Sequence, residues 1–357
     1  MIGVTIYPLP PRLPTNPYLD LLYAPMGGCG LHIWRRRPRE ALPALLAGRG
    51  ARVLHLHFFD ELTQRPGRLA TAARSLAFVA LLASLRARGV RLVWTAHNLV
   101  PHELHQPRWA FLTYRFVARS AEAVIAHGEA ALSLVRERYG PLRRAEAIPL
   151  GSFAGVYGPA ADRGVSRAAL GLPASGRVIL SLGALRPYKG LEDLIDSFAA
   201  LPAERRGTLL IAGAPKDRAY AELLARRAAQ VAGATVAPRH VPDEQIPAYL
   251  AAADVVAVPY RRLLTSAALM LALSYARPVI APDVGPAREL VRDGREGFLF
   301  APGSPEALSA ALRRALDHPD LDALGASALD RAEQFDWREI AARTAALYRA
   351  VAAGEQP

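Results

Sequence analysis

The feature that most constrains this chain is an alternation that runs from end to end: short apolar runs separated by stretches of helical period. A strand followed by a helix can return to pair in parallel only through a crossover, so such a pattern builds parallel α/β sheets. Before residue 150 the apolar runs predict strands at Ile2–Tyr7, Leu31–Ile33, Val53–His57, Leu92–Thr95 and Ala123–Ala126. Helices are expected at Pro17–Ala24, Arg68–Arg88, Pro107–Ala118 and Glu129–Tyr139. Residues 148–176 break the rhythm with glycine, proline and small side chains, and read as a linker followed by a short helix. A second series then predicts strands at Val178–Leu182, Thr208–Ala212, Val255–Val258, Val279–Ala281 and Gly297–Phe300. The expected architecture is two doubly wound α/β domains, 1–155 and 165–335, with a final helix in 336–357 packing back toward the first. Ligands of such sheets bind where strands end and helices begin, so chemistry is sought there.

Composition sets the class. A length of 357 residues suits two domains, and 52% hydrophobic against 21% charged residues excludes a disordered chain. The lone Cys29 excludes a disulfide framework and a four-cysteine zinc site, and fits a reducing compartment. No run of 18 uncharged apolar residues exists, so no spanning helix is expected. The start, MIGVTIYPLP, has neither a basic lead nor a small-residue cleavage site, and does not read as a signal peptide. The expected location is the cytoplasm. The stretch LAFVALLASL in the Arg68 helix reads as a buried crossover helix, with insertion into a membrane surface as the alternative.

Charge is unevenly spread. The chain carries 44 basic and 32 acidic side chains, a balance of +12. Residues 1–150 hold 20 arginines, no lysine and 9 acids, so +11; the remainder holds 24 basic and 23 acidic residues, so +1. Such a split points to an anionic partner near the first half: nucleic acid, anionic lipid or a phosphorylated acceptor. An arginine-rich coding bias explains part of the excess, but not why the acids avoid the same half. Nucleic acid is the unlikely member of the three, because no helix-turn-helix, zinc-finger or RNA-recognition signature is present. The densest run, WRRRPRE at 34–40, is the expected contact with an anionic membrane, at its inner face if the protein is peripheral.

Three junctions of the second half carry candidate chemistry. After VILSL, Gly183 permits close backbone approach while Arg186 and Lys189 bring two cations to the start of a helix. Amide donors, a positive helix end and two charges suit a diphosphate. The loop is neither a Walker A nor a G-x-G-x-x-G sequence, and alone it reads equally as a surface turn. At the second junction, Thr265 and Ser266 are N-cap residues before ALMLALSYA, with Arg261 and Arg262 beside them. An ordinary capped helix is the plainer reading of that segment alone. At the third, Glu289 is expected in the first helical turn after Gly285, bound to a sugar hydroxyl or complementing the helix dipole. In the first half, Asp60 and Glu61 follow one strand; His97, Asn98, His102 and Glu103 follow another. A carboxylate or imidazole there is a candidate general base, although loop histidines are more often only hydrogen-bonded. No H-E-x-x-H spacing occurs and no metal site is assigned.

The stretches VILSLGALRPYKGLEDLIDSFAAL, HVPDEQIPAYLAAADVVAVPYR and PVIAPDVGPARELVRDGREGFLFAPGSPEALSAAL resemble glycosyltransferase family 4 and its GT-B relatives. NPYLDLLY, HLHFFDE, WTAHNLVPHE and IPLGSFAGVYG resemble a bacterial, mannosyltransferase-like subgroup. The resemblance implies two Rossmann-like domains facing a central cleft, an acceptor bound by the first and a nucleotide-sugar by the second. It implies that Arg186 and Lys189 hold the donor diphosphate, with Gly183, Arg261, Thr265, Ser266 and Glu289 also on the donor side. Two glutamates usual in retaining members are Leu263 and Leu271 here, and the usual glycine before Pro278 is Ala276. An inverting transfer is therefore expected, with Asp60 as base and Glu103 or His97 as alternatives. The expected donor is a nucleotide-diphosphate sugar, GDP-mannose first among them, and the expected acceptor a glycan or lipid-linked acceptor, with no cofactor and no obligatory metal. A non-catalytic partner subunit, or a retaining enzyme using a UDP-sugar, is the alternative.

Overall fold

The computed structural model describes residues 3–14, 16–36, 38–48, 50–101 and 104–355. The chain divides into two compact units, one holding Met1–Leu150 with Asp336–Pro357, the other Gly151–Phe335.

The first unit is built on six parallel strands: β1 (Val4–Leu9), β2 (Leu31–Ile33), β3 (Ala51–Leu56), β4 (Arg91–Thr95), β5 (Ala123–Ala126) and β6 (Ala145–Ala147). Their order is β2-β1-β3-β4-β5-β6. Ile6, Val53, Leu92, Val93 and Val124 are fully buried, as befits a sheet covered on both faces. The helices are α1 (Tyr18–Tyr23), α2 (Pro38–Ala47), α3 (Asp60–Thr63), α4 (Arg68–Ala87), α5 (Pro107–Ser120) and α6 (Glu129–Tyr139). The chain steps from β1 outward to β2 and thereafter always in the other direction. Right-handed crossovers then place α2, α4, α5 and α6 on one face. The C-terminal helix Trp337–Ala353 packs with α1 against β1 and β3, opposite that face.

The second unit has β7 (Val178–Leu182), β8 (Thr208–Ala212), β9 (Ala234–Ala237), β10 (Val255–Ala257), β11 (Val279–Pro282) and β12 (Gly297–Phe300). All are parallel, in the order β12-β11-β10-β7-β8-β9. Its helices are α7 (Arg163–Ala169), α8 (Leu191–Ala199), α9 (Arg218–Ala228), α10 (Ile246–Ala252), α11 (Ala267–Ser274), α12 (Gly285–Arg288), α13 (Pro305–Asp317) and α14 (Leu321–Glu333). Arg167 of α7 donates to Asp254 at 2.7 Å, and the Val178 amide donates to the same carboxylate at 2.6 Å. That buried pair pins the segment before the sheet to its two central strands. The strand order reverses between β7 and β10, the point at which doubly wound sheets open a crevice at their carboxyl ends.

Each sheet has one more strand than the apolar runs indicate. β6 and β9 are short edge strands of alanine, glutamate, threonine and a lone valine, partly exposed, with no hydrophobic run to announce them. A second correction concerns α4. Its 20 residues include Arg68, Arg74 and Arg86 yet are long and apolar enough to cross a membrane by composition, and under a third of the most apolar window is buried. One face packs inward through Thr71, Ser75, Phe78, Leu82 and Leu85; the other is bare.

Candidate functional site

In the second unit the loops leaving β7 and β10, the strands flanking the reversal, are locked together. Gly190 sits at φ +65°, and a Cβ there would lie 2.4 Å from the Pro259 carbonyl oxygen, so only glycine lets the two loops touch. The Arg261 amide donates to the Tyr188 carbonyl at 2.9 Å. Gly183, at φ +119°, faces Lys189: a Cβ on Gly183 would lie 3.0 Å from the ammonium. Lys189 is 8% exposed, and its Nζ lies 5.2 Å from the centre of the Tyr260 ring. Among the described residues no ion pair involves it. Burial pushes its pKa down to about 8, with the nearby Arg186 guanidinium lowering it further.

Ser266 caps α11, its side chain accepting from the Leu269 amide at 3.1 Å. The neighbouring Thr265 Oγ1 is buried with no hydrogen-bond partner, an unsatisfied group of the kind a ligand completes. Arg261 is differently engaged: its guanidinium forms a bidentate pair with Asp193 of α8, both bonds 2.7 Å long. It therefore ties the two loops to the helix. Arg262 lies 5.9 Å from the Tyr188 ring. Glu289 departs from expectation. The helix after Gly285 is a single turn that ends at Arg288, so Glu289 stands at its C-cap, where it cannot complement the positive end. Its carbonyl accepts from Arg331 at 2.6 Å. Arg186, Lys189, Thr265 and Ser266 thus gather about the reversal of the sheet; Glu289 follows β11, one strand further out.

The first unit collects different chemistry at its strand ends. His55 and His57, two apart on β3 and its exit, share one face, and His97 and His127 follow β4 and β5. The His127 Nδ1 lies 3.0 Å from the Ile148 carbonyl, which can only accept, so that nitrogen carries the proton and Nε2 accepts. From there the direction propagates. His97 Nδ1–H donates to His127 at 3.2 Å, His57 Nδ1–H donates to His97 Nε2 at 3.3 Å, and the Tyr23 hydroxyl donates to His57 Nε2 at 2.8 Å. His55 meets Thr95 at 2.8 Å and the Tyr348 hydroxyl at its other nitrogen. Burial favours the neutral form of His55, His57 and His127, holding the pKa of the first two well below the ordinary value and that of His127 near 4. Tyr18 packs edge-on against His57, His97 and His127.

Of the candidate bases, His97 lies in this relay with both ring nitrogens engaged. Asp60 begins α3 and accepts a short hydrogen bond from the Tyr114 hydroxyl. Glu103, with His102, falls outside the described residues. Of the basic run at 34–40, Arg35 pairs with Asp20 and Arg36 lies 5.4 Å from the Trp34 ring, while Arg37 is outside the described residues. Sequence reading missed His55, His57, His127, Tyr23 and Tyr348 as one network. The H-x-H spacing on a strand was its visible trace; the tyrosine partners come from α1 and from a helix 293 positions away.

Residues 10–151 match the family described as Glycosyltransferase Family 4, and residues 176–318 that described as Glycosyl transferases group 1. A D-inositol 3-phosphate glycosyltransferase of Nocardioides sp. is 30% identical, covering 90% of this chain and 81% of that relative. The chain belongs to the family 4-like glycosyltransferases of the GT-B class. This glycosyltransferase is also 27% identical to a GDP-mannose:glycolipid 4-beta-D-mannosyltransferase of Xanthomonas campestris, over 85% of its own length and 83% of the relative's. Its fold is shared with sucrose-phosphate synthase of Thermosynechococcus elongatus, at a TM-score of 0.77, 19% identity and 99% and 100% coverage of the two chains. Anabaena HepE, solved in complex with UDP-glucose, gives a TM-score of 0.73 at 18% identity, with 98% and 100% coverage.

Proposed function

We propose that this glycosyltransferase moves a hexose from a nucleotide-diphosphate sugar, GDP-mannose first among donors, onto a glycan or lipid-linked acceptor by a single inverting displacement. Lys189 carries the reading. It is a buried cation with no carboxylate beside it among the described residues, a costly arrangement that a diphosphate would complete. Arg186 and Lys189 would bind the diphosphate and stabilise its charge as it departs, an electrostatic role that calls on no metal. Gly183 admits the phosphates, and Thr265 and Ser266 offer a hydroxyl and the first amides of α11. Arg261 serves by holding the two loops together, and Glu289 remains the candidate contact for the donor sugar.

The positions of the usual retaining glutamates are Leu263 and Leu271, which cannot hydrogen-bond a sugar or a ribose. An acceptor hydroxyl attacking directly needs one base. Asp60 is assigned that role, its carboxylate oriented by Tyr114, in a first unit proposed to bind the acceptor. The name of the Xanthomonas relative joins a GDP-mannose donor, a glycolipid acceptor and a 4-beta linkage, and supports the same trio here. A β-mannoside made from an α-linked sugar diphosphate requires inversion.

The test is transfer by the purified chain from GDP-mannose, UDP-glucose and ADP-glucose to lipid-linked saccharides, with the product anomer read by NMR. Inverted product from GDP-mannose, abolished in Asp60→Asn, is expected. A retained anomer, or turnover with UDP-glucose alone, would contradict the proposal.

A further inference from the structure

We propose that the α4–α5 face of the first unit is a docking surface for an anionic lipid bilayer. Eight of the nine large hydrophobic side chains that stand exposed among the described residues belong to the first unit. They include Leu69 at 87%, Leu76 at 57% and Leu112 at 54% exposure. On α4, Leu69, Ala73, Leu76, Ala80, Ala83 and Ala87 recur at intervals of three and four, directly opposite the buried row Thr71–Ser75–Phe78–Leu82–Leu85. All six are exposed, and no charge interrupts them. A solvent-facing helix side of this kind is normally polar.

The neighbouring helix supplies the charge. On α5 the exposed positions after Pro107 are Arg108, Leu112, Arg115 and Arg119, one stripe at the same helical spacing, opposite Ala110, Thr113, Tyr114 and Val117. α4 and α5 pack side by side on one face of the sheet, so the apolar stripe and the arginine ladder point the same way, out from the protein. Residues 68–120 contain eight arginines and a single acid, Glu103. A hydrophobic strip beside a cationic ladder matches the two layers of a membrane surface, acyl boundary and anionic headgroup. It does not match a second copy of the chain, which would set ladder against ladder.

The same geometry decides how α4 meets lipid. Its inward row holds the polar Thr71 and Ser75 and packs Phe78 against Phe59 with ring centres 5.3 Å apart. The helix therefore stays on the sheet and lies flat on the bilayer. Of the basic run at 34–40, Arg35 is paired with Asp20, whereas no carboxylate pairs with the arginines of the α5 ladder among the described residues.

This inference is independent of donor chemistry, since vesicle binding needs no nucleotide-sugar and survives a failure of the donor reading. The experiment is sedimentation of the full chain with vesicles of phosphatidylcholine alone or with about 30% phosphatidylglycerol. Wild type is expected to bind the anionic vesicles, more weakly as salt rises, and to leave the neutral ones largely unbound. Arg108→Gln/Arg115→Gln/Arg119→Gln should lose roughly fivefold per arginine. Leu69→Ser/Leu76→Ser should lose about tenfold per leucine, while Val165→Ser, an exposed apolar position of the second unit, should bind as wild type. Unchanged melting temperatures show that the variants are folded. Three results would overturn the proposal: no wild-type binding to anionic vesicles, equal binding by wild type and both variants, or dimerisation that the leucine pair abolishes in a protein indifferent to lipid.

Discussion

The two units use one architecture for opposite electrostatics. Both are six-stranded parallel sheets with a reversal of strand order, and both gather polar side chains where strands end. In the first unit those groups are imidazoles and phenols held neutral by burial, satisfied by one another in a relay that ends on a backbone carbonyl. In the second they are cations, and the most buried of them has no anion beside it among the described residues. A satisfied neutral network is stable without a ligand, whereas a buried unpaired charge is not. The difference fits the proposal that the second unit holds the diphosphate and the first the neutral acceptor hydroxyl.

Acid should separate the units most strongly. The native pKa of His55, His57 and His127 lies below the unfolded value near 6.5, so the unfolded state binds more protons and stability falls as pH drops through that window. His127, held near 4, accounts for roughly 2–3 kcal/mol by pH 4, and the other two add to it. In the second unit the depressed carboxylates are Asp283, Asp293, Asp322 and the exposed Glu306, whose contributions are lost only as pH falls through their ordinary values of 3.8 for the aspartates and 4.5 for the glutamate. All four tryptophans, Trp34, Trp94, Trp109 and Trp337, belong to the first unit, so their fluorescence reports on it alone. Between pH 6.5 and 4 that signal should collapse while hydrogen exchange in the second unit stays slow; simultaneous loss in both units would break the comparison.

Lys189→Ala should weaken nucleotide-sugar binding about a hundredfold, close to 3 kcal/mol for a charged contact to a diphosphate, measured by calorimetry. Donor affinity should also be flat below pH 8, where Lys189 is protonated, and fall by up to about tenfold per unit above it. An affinity constant to pH 10 would remove Lys189 from the site. The smallest effect concerns Ala276, the single non-glycine residue with positive φ (+53°) among those described. Ala276→Gly should raise stability by up to about 1 kcal/mol, since the left-handed strain relieved slightly exceeds the added chain entropy; a fall in melting temperature would show that the methyl is needed for packing.

Much of the fold was legible because buried parallel strands are continuous apolar runs: β7, β8 and β12 lie where VILSL, TLLIA and GFLF place them. The edge strands β6 and β9 were not, since half-exposed pairing needs no hydrophobic signature. Gly183, Arg186, Lys189 and Ser266 could be proposed from sequence because each candidate loop is local, one strand and one helix N-terminus. The histidine relay was hidden because its members are set by register between β3, β4 and β5 and completed by tyrosines remote in sequence. Burial alone separates the six-residue apolar stripe of α4 from its inward row; the composition of that helix gives no such division.

The most direct measurement of the central claim is proton uptake on donor binding, from calorimetry of a nucleotide-sugar in buffers of different ionisation enthalpy. A diphosphate seated against Lys189 raises its pKa from about 8, so binding at pH 8 should take up about half a proton, and at pH 6.5 almost none. Tight binding at pH 8 with no proton uptake would place the diphosphate away from Lys189 and contradict the account.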